Sequence, residues 1–93
     1  MMAGKKIKIT GAAAKRIGSK LGVDWTAIPL EEFRRGMEVE LEHGSHDPET
    51  DVTHNDMELT GKIAWAHLKE FPDYYTRLGR MEKEADAYWA SRR

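Results

Sequence analysis

Apolar side chains recur every three or four residues in the middle of this chain. Leu30, Phe33, Met37 and Leu41 are separated by 3, 4 and 4 residues, which places all four on one face of an α-helix. The alternation that marks a strand occurs only in the short stretch 5–9, and one strand alone has no partner with which to form a ladder. The pattern therefore predicts an all-α fold whose helices pack through apolar faces.

Start and stop signals divide the chain into four helical segments. Glycine follows the first and second segments, proline opens the second, and Pro72 interrupts the pattern between the third and the fourth. The predicted helices run from Thr10 or Gly11 to Leu21, from Pro29 to Gly44, from Asp56 to Phe71, and from Asp73 to about Ser91. Thr53 is an alternative start for the third helix. We predict one domain, 1–93, a compact bundle of about four helices with an extended basic N-terminal arm at 1–9 and a helical body at 10–91.

Charge is unevenly distributed, although the net charge is only -1. Residues 1–22 carry +6, residues 23–70 carry -8, and residues 71–93 carry +1. Such a basic arm is typical either of nucleic-acid or phosphate binding, or of docking on the acidic body of the same chain or of a neighbouring copy. We favour docking or a simple contribution to solubility, because no aromatic residues are interleaved with the charges. We expect no double-stranded nucleic-acid partner. Candidate phosphate-binding residues are Lys5, Lys6, Lys8 and Lys62.

The chain has no cysteine and no long apolar run. Thiolate chemistry and disulfides are therefore excluded, and no segment of about 18 apolar residues is present to span a membrane. The basic start lacks the apolar stretch of an export signal, so we predict a cytoplasmic protein. No serine lies in a G-x-S-x-G elbow and no glycine pattern cradles a phosphate, which argues against an enzyme.

Two motifs of mirrored sequence pair a carboxylate with an imidazole. Glu40 and His43 are three residues apart, and so are His67 and Glu70, so each pair shares one helix face. If the second and third helices pack antiparallel, the four side chains can face each other and bind a divalent metal ion, as facing helices do in carboxylate bundles. A Glu–His hydrogen-bond network that fixes the helix register is the alternative, and the one we favour.

The acidic loop between the second and third helices is another candidate metal site. Its oxygen-bearing side chains fall at positions 1, 3, 5, 7, 9 and 12 of a calcium-loop template: Asp47, Glu49, Asp51, Thr53, Asn55 and Glu58. Val52 occupies the sixth position, where the template needs glycine, and His54 occupies the usually apolar eighth. A solvated loop with turn-forming Asp and Asn explains the same residues, and we favour it.

Adjacent aromatic residues mark a candidate partner surface. The apolar stripe of the fourth helix consists of Tyr75, Leu78, Met81 or Glu82, Ala85, and Tyr88 or Trp89. Tyr74 and Tyr75 cannot both face inward on a helix, and neither can Tyr88 and Trp89, so one member of each pair is exposed or at an interface. Exposed aromatics are typical of protein interfaces, and core rings of which only the polar tips reach solvent are the alternative. The candidate partner-binding residues are Tyr74, Tyr75, Tyr88 and Trp89.

Two central motifs resemble a family of small bacterial and phage proteins that is known only as a domain of unknown function. The motifs are E-L-E-H-G at 40–44 and T-G-K-I-A-W-A-H-L at 60–68, and the resemblance extends over about 23–84. It implies a cytoplasmic, often phage-borne accessory protein and supplies no catalytic residues.

These observations together favour a non-enzymatic binding module that acts through protein–protein contacts and forms homo-oligomers. A Glu/His metal-binding protein is the first alternative. The second is an oligomer that sequesters a nucleotide or another phosphorylated signal between the basic residues and an aromatic ring.

Overall fold

Four helices form the part of the protein that the structure describes, and their bounds lie close to the predicted ones. The computed structural model describes residues 7–92, and the side chains of all of these except 44–46. The helices are α1 (Gly11–Leu21), α2 (Leu30–His46), α3 (Met57–Glu70) and α4 (Tyr74–Ala90). Within residues 7–92 there is no strand, so the all-α prediction is confirmed. None of the helices in this part of the chain combines the length and apolar character that a bilayer span requires.

Local capping groups explain where the helices begin and end. Thr10 Oγ1 accepts a hydrogen bond from the backbone N–H of Ala13 at 3.1 Å, and Gly22 ends α1 in the left-handed region with φ 98°. Asp56 Oδ1 accepts from the N–H of Leu59 at 2.9 Å and so caps α3. Pro29 precedes α2, which continues two residues past the predicted stop at Gly44.

The core lies where α1, α2 and α3 meet. Its fully buried side chains include Phe33, Met37, Ala64 and Leu68, and the stripe predicted for the second helix supplies the largest share of them. The Trp25 ring closes this core from the α1–α2 connection, with its centroid 5.5 Å from that of Phe33 at an interplanar angle of 77°. Apolar burial of this kind is the main stabilising contribution in a helical domain.

The crossing of α2 and α3 differs from the antiparallel packing considered above. Phe33 Cζ lies 3.4 Å from the position that a β-carbon at Gly61 would take, and farther along both helices Glu40 Oε2 lies 3.7 Å from His67 Nε2. Contacts that advance in the same order along two helices mean that the helices run in the same general sense. The ten-residue connection at 47–56 provides the chain length for this return.

The described end of the N-terminal arm is attached to α2. Ile9 is buried, its N–H donates to Glu38 Oε2 at 2.7 Å, and its carbonyl accepts from Arg34 Nη1 at 3.2 Å. Arg34 also donates to Glu38 Oε2 at 2.7 Å, so one carboxylate joins the arm and the helix. Residues 1–6, with Lys5 and Lys6, lie outside the described residues.

Side chains of the 47–56 loop hydrogen-bond to the backbone of the loop itself. Asp47 Oδ1 accepts from the N–H of Glu49 at 2.9 Å, and Asp51 Oδ1 accepts from those of Thr53 and His54 at 3.1 and 2.8 Å. These are the turns that short acidic side chains favour. The backbone N–H bonds hold the pKa of Asp51 below its usual range. The structure thus agrees with the interpretation of this segment as a loop built from Asp-based turns.

Candidate functional site

A polar cluster joins α2, α3 and α4 through Glu40. The hydroxyl of Tyr75 donates to Glu40 Oε2 at 2.9 Å, and His67 Nε2 lies 3.7 Å from the same oxygen. Tyr75 is only 1 % exposed, and its ring lies against Gly36 of α2. Burial, with the nearby Glu40 charge, raises the pKa of the Tyr75 phenol well above its ordinary value. The cluster therefore holds the first turn of α4 on α2 through a neutral phenol and a carboxylate.

The mirrored motifs are only partly brought together. His67 Nδ1 lies 3.9 Å from Glu70 Oε1, whereas its Nε2 faces Glu40, so the two carboxylates lie at different nitrogens of one ring. His43 is exposed, and no contact among the described residues joins it to the other three. No three His, Asp or Glu side chains within the described residues converge as metal ligands do. Metal binding by Glu40, His43, His67 and Glu70 stays a prediction, and metal content measured after chelator-free preparation would test it.

Tyr74 connects this cluster to the surface of α4. Its ring stacks on that of His67 with centroids 4.4 Å apart at 14°, and it also lines a shallow cleft of about 220 Å³. Phe71, Leu78 and Met81 form the other apolar walls of the cleft, and the Arg77 guanidinium lies 4.2 Å from the centre of the Phe71 ring. Tyr74 is thus half-buried, while Tyr75, also predicted to contact a partner, faces the interior.

Beyond its first turns, α4 carries its apolar side chains on the surface. Met81 is 59 % exposed, Tyr88 48 % and Trp89 58 %. The rings of Tyr88 and Trp89 meet edge to face at 5.0 Å, and the Arg92 guanidinium lies 4.1 Å from the centre of the Tyr88 ring. Both members of the second aromatic pair are therefore exposed. In a fully packed bundle the apolar stripe of α4 would lie in the core. Here the part of that stripe after Leu78 is exposed instead.

The predicted phosphate-binding lysines are not assembled by the described part of the chain. Lys8 and Lys62 are exposed, on the arm and on α3 respectively, and no contact among the described residues joins their side chains. Lys5 and Lys6 fall outside the described residues. Phosphate binding by these four residues stays a prediction.

Sequence reasoning missed residues whose importance depends on tertiary contacts. Phe71 and Arg77 line the α4 cleft, and Trp65 with Lys69 lines a second cleft beside α3. The spacing of Trp65 and Lys69, four residues apart on one helix face, is the one signal that could have pointed to the second cleft. No spacing rule relates Asp24 to that cleft, because this residue comes from a distant connection.

The fold and these surfaces define a small all-α domain with a packed three-helix core and a partly unpacked fourth helix. Residues 14–84 match the model of a family described as a protein of unknown function, DUF5661. The chain belongs to this family, because the match covers most of its length, and the predicted family resemblance is confirmed. Comparison with curated proteins and with solved structures found no match.

Proposed function

We propose that the chain is a non-enzymatic binding module whose partner-contacting surface is the outer stripe of α4. We call this stripe the α4 seam and define it as Tyr74, Leu78, Met81, Ala85 and Tyr88. The supporting observation is the exposure of Met81, Ala85 and Tyr88 on a helix whose first turn is firmly anchored by Tyr75. An anchored helix presents its apolar side chains without the entropy cost of ordering a flexible segment.

The spacing within the seam favours a helix as the partner. Its five residues are separated by 4, 3, 4 and 3 positions, a strict alternation that repeats every seven residues. That narrow stripe is the pattern of helices that pair along their length, whereas a helix buried in a globular core has a wider apolar face. Trp89 and the Phe71 cleft extend the apolar surface on either side of the seam.

We propose a second copy of this chain as the partner, with the two α4 helices parallel. In a parallel pair, the heptad positions that flank the seam place Arg77 of one copy beside Glu82 of the other, twice per dimer. The antiparallel register that also buries Tyr88 would instead place Glu82 opposite Glu82 and Glu84 opposite Glu84. Charge complementarity therefore supports the parallel arrangement.

The magnitude of the interaction follows from the area that the seam exposes. Fully burying a side chain such as Met contributes about 1.5–3 kcal/mol, so a half-exposed seam residue contributes roughly 1 kcal/mol. Several such residues per copy act against an association cost of about 4–15 kcal/mol. The expected dimer is accordingly weak, with a dissociation constant of about 1 mM.

Sedimentation equilibrium over a wide concentration range tests the proposal. The parent chain is expected to shift from monomer to dimer as its concentration rises, and Met81→Glu is expected to remain monomeric because it places a charge in the seam. Ala87→Glu is the matched control, since it adds the same charge at an exposed position on the opposite side of α4. Both variants should keep the unfolding midpoint of the parent. A parent chain that stays monomeric at every concentration would refute self-association.

A charge-exchange series tests the orientation. Arg77→Glu and Glu82→Arg should each weaken the dimer, and the double variant should restore it, because the pair is re-formed with exchanged signs. Arg77→Glu with Glu84→Arg should give no restoration. A double Arg77→Glu/Glu82→Arg variant that dimerises no better than either single variant would overturn the parallel arrangement.

A further inference from the structure

A second cleft lies between the α1–α2 connection and the end of α3. It encloses about 320 Å³ and is bounded by Ile28, Leu68 and Pro72 on its apolar side. Ile28 and Leu68 also belong to the core, so this wall is fixed by packing. The volume is at the lower limit of small-molecule sites, which suits a ligand with a single ring system.

An indole and an ammonium group form the next wall of the cleft. Trp65 and Lys69 are four residues apart on α3, and Lys69 Nζ lies 4.3 Å from the centre of the Trp65 ring. Lys69 is exposed, so its ammonium group can leave the ring for a ligand anion at small cost. A flat aromatic surface beside a cation is the combination that binds a planar ring carrying negative charge.

The carboxylate of Asp24 also lines the cleft. Asp24 Oδ1 accepts from the N–H and the hydroxyl of Thr26 at 2.9 and 2.6 Å. These bonds hold the pKa of Asp24 below its usual value, so the group is ionised near neutral pH. The described residues donate no hydrogen bond to Oδ2 of Asp24. That oxygen remains as an acceptor for an N–H group of a ligand.

We propose that this cleft binds a small aromatic molecule that carries both an anionic group and an N–H donor. The ring stacks on Trp65, the anion pairs with Lys69, and the donor bonds to Asp24. A nucleoside monophosphate with an amino-substituted base and a free aromatic amino acid share this chemistry. The site is separate from the α4 seam and does not depend on the proposed self-association.

Nuclear magnetic resonance of the ¹⁵N-labelled full chain tests the site directly. The probes are adenosine monophosphate and free tryptophan, with adenosine and inorganic phosphate as ligands that lack the anion or the ring. We expect saturable shifts of the Trp65 indole N–H and the Lys69 amide, with the exposed Trp89 indole unmoved. A response to only one of the two probes identifies the source of the ligand. Adenosine should bind more weakly than its monophosphate, and phosphate alone should not saturate.

Two substitutions in the cleft, with one control on α4, separate the contributions of individual side chains to ligand binding. Lys69→Gln should weaken the anionic ligand roughly two- to fivefold, as expected for one exposed ion pair. Trp65→Leu keeps apolar bulk but removes the stacking surface, and should weaken binding roughly tenfold when followed at the Lys69 amide. Lys83→Gln on α4 is the control and should change nothing.

Other results would overturn the proposal. These are the absence of saturable shifts at millimolar concentrations of both probes, equal shifts at Trp65 and Trp89, and equal responses to phosphate and the monophosphate. An unchanged affinity in both Lys69→Gln and Trp65→Leu would also overturn it. Each variant is first compared with the parent by its amide spectrum, so that loss of fold is not taken for loss of binding.

Discussion

The same glycine-to-alanine change should have opposite effects at two positions of this fold. Gly36 lies inside α2, where an added β-carbon would overlap the ring of Tyr75, with Cδ2 only 2.8 Å away. Gly79 lies inside α4, where the nearest atom to an added β-carbon is Arg35 Nη2, at an ordinary contact distance of 3.5 Å. Intrinsic helix preference favours alanine at both sites by about 1 kcal/mol.

The buried ring of Tyr75 determines that Gly36→Ala lowers the free energy of unfolding and does not raise it. Non-bonded carbons prefer about 3.5–4.0 Å, so the ring or the helix must shift by roughly 1 Å. Tyr75 cannot swing into solvent, since it is buried and its hydroxyl is bonded to Glu40. Overpacking of this kind costs about 1–3 kcal/mol and occasionally more. Three ring carbons of Tyr75 lie within 2.9 Å of the added β-carbon, so the cost falls in the upper part of this range, at about 2–3 kcal/mol. After subtracting the helix-preference gain of about 1 kcal/mol, we expect Gly36→Ala to lower the free energy of unfolding by about 1–2 kcal/mol.

Thermal and urea unfolding measure both changes. A loss of 1–2 kcal/mol in a domain of this size corresponds to a fall in Tm of roughly 4–16 °C, and Gly79→Ala should raise Tm by roughly 4–8 °C. Combining Gly36→Ala with Tyr75→Leu should cost less than the sum of the single changes, because the smaller side chain relieves the overlap. Stabilisation by Gly36→Ala, or additivity in the double variant, would refute the close packing of α4 on α2.

Four further predictions concern polar groups. Tyr75→Phe leaves the Glu40 carboxylate without its phenol donor and should lower the free energy of unfolding by about 1–3 kcal/mol, and an unchanged urea midpoint would contradict the bond. Because the pKa of Tyr75 is raised, the native state keeps the phenol proton at a pH where the unfolded chain loses it. The free energy of unfolding should therefore be constant below about pH 10 and fall above it. This fall should be less steep in Tyr75→Phe. Asp56→Ala removes the α3 cap and should cost about 1 kcal/mol, whereas Asp56→Asn should cost much less. Four carboxyl groups have folded-state pKa values below their ordinary values: Asp24, Glu31, Asp51 and Asp73. Their stabilising contribution is therefore present above about pH 4 and is lost as the pH falls further. The urea midpoint should be lower at pH 3 than at pH 5, and equal midpoints would contradict these contacts.

The predicted helices agreed with the structure wherever their ends depend on nearby residues. Thr10, Gly22 and Asp56 act within three or four positions of their own place in the chain, so the sequence contains the whole of each cap. The apolar stripe from Phe33 to Leu41 was equally predictable from the sequence, because a single periodicity describes a helix that is buried along one face.

The candidate sites were less predictable, because their residues come from separate elements. The E-x-x-H and H-x-x-E spacings placed Glu40 and His67 on faces that can meet, and those two residues do lie close together. Spacing could not show that Tyr75 would donate to Glu40, nor that His43 would be exposed. Those outcomes depend on the crossing of α2 with α3 and on the point where α4 joins them.

Local chemistry alone determined the helical class, the four segments, the caps and the turn-forming acidic loop, since these depend on contacts a few positions apart. Packing decided which of two neighbouring tyrosines faces the interior, where α4 leaves the body, and that Asp24 shares a cleft with Trp65. A periodic stripe specifies only that a face is apolar. Whether that face becomes core or remains a surface for a partner depends on how much of it the neighbouring helices can reach.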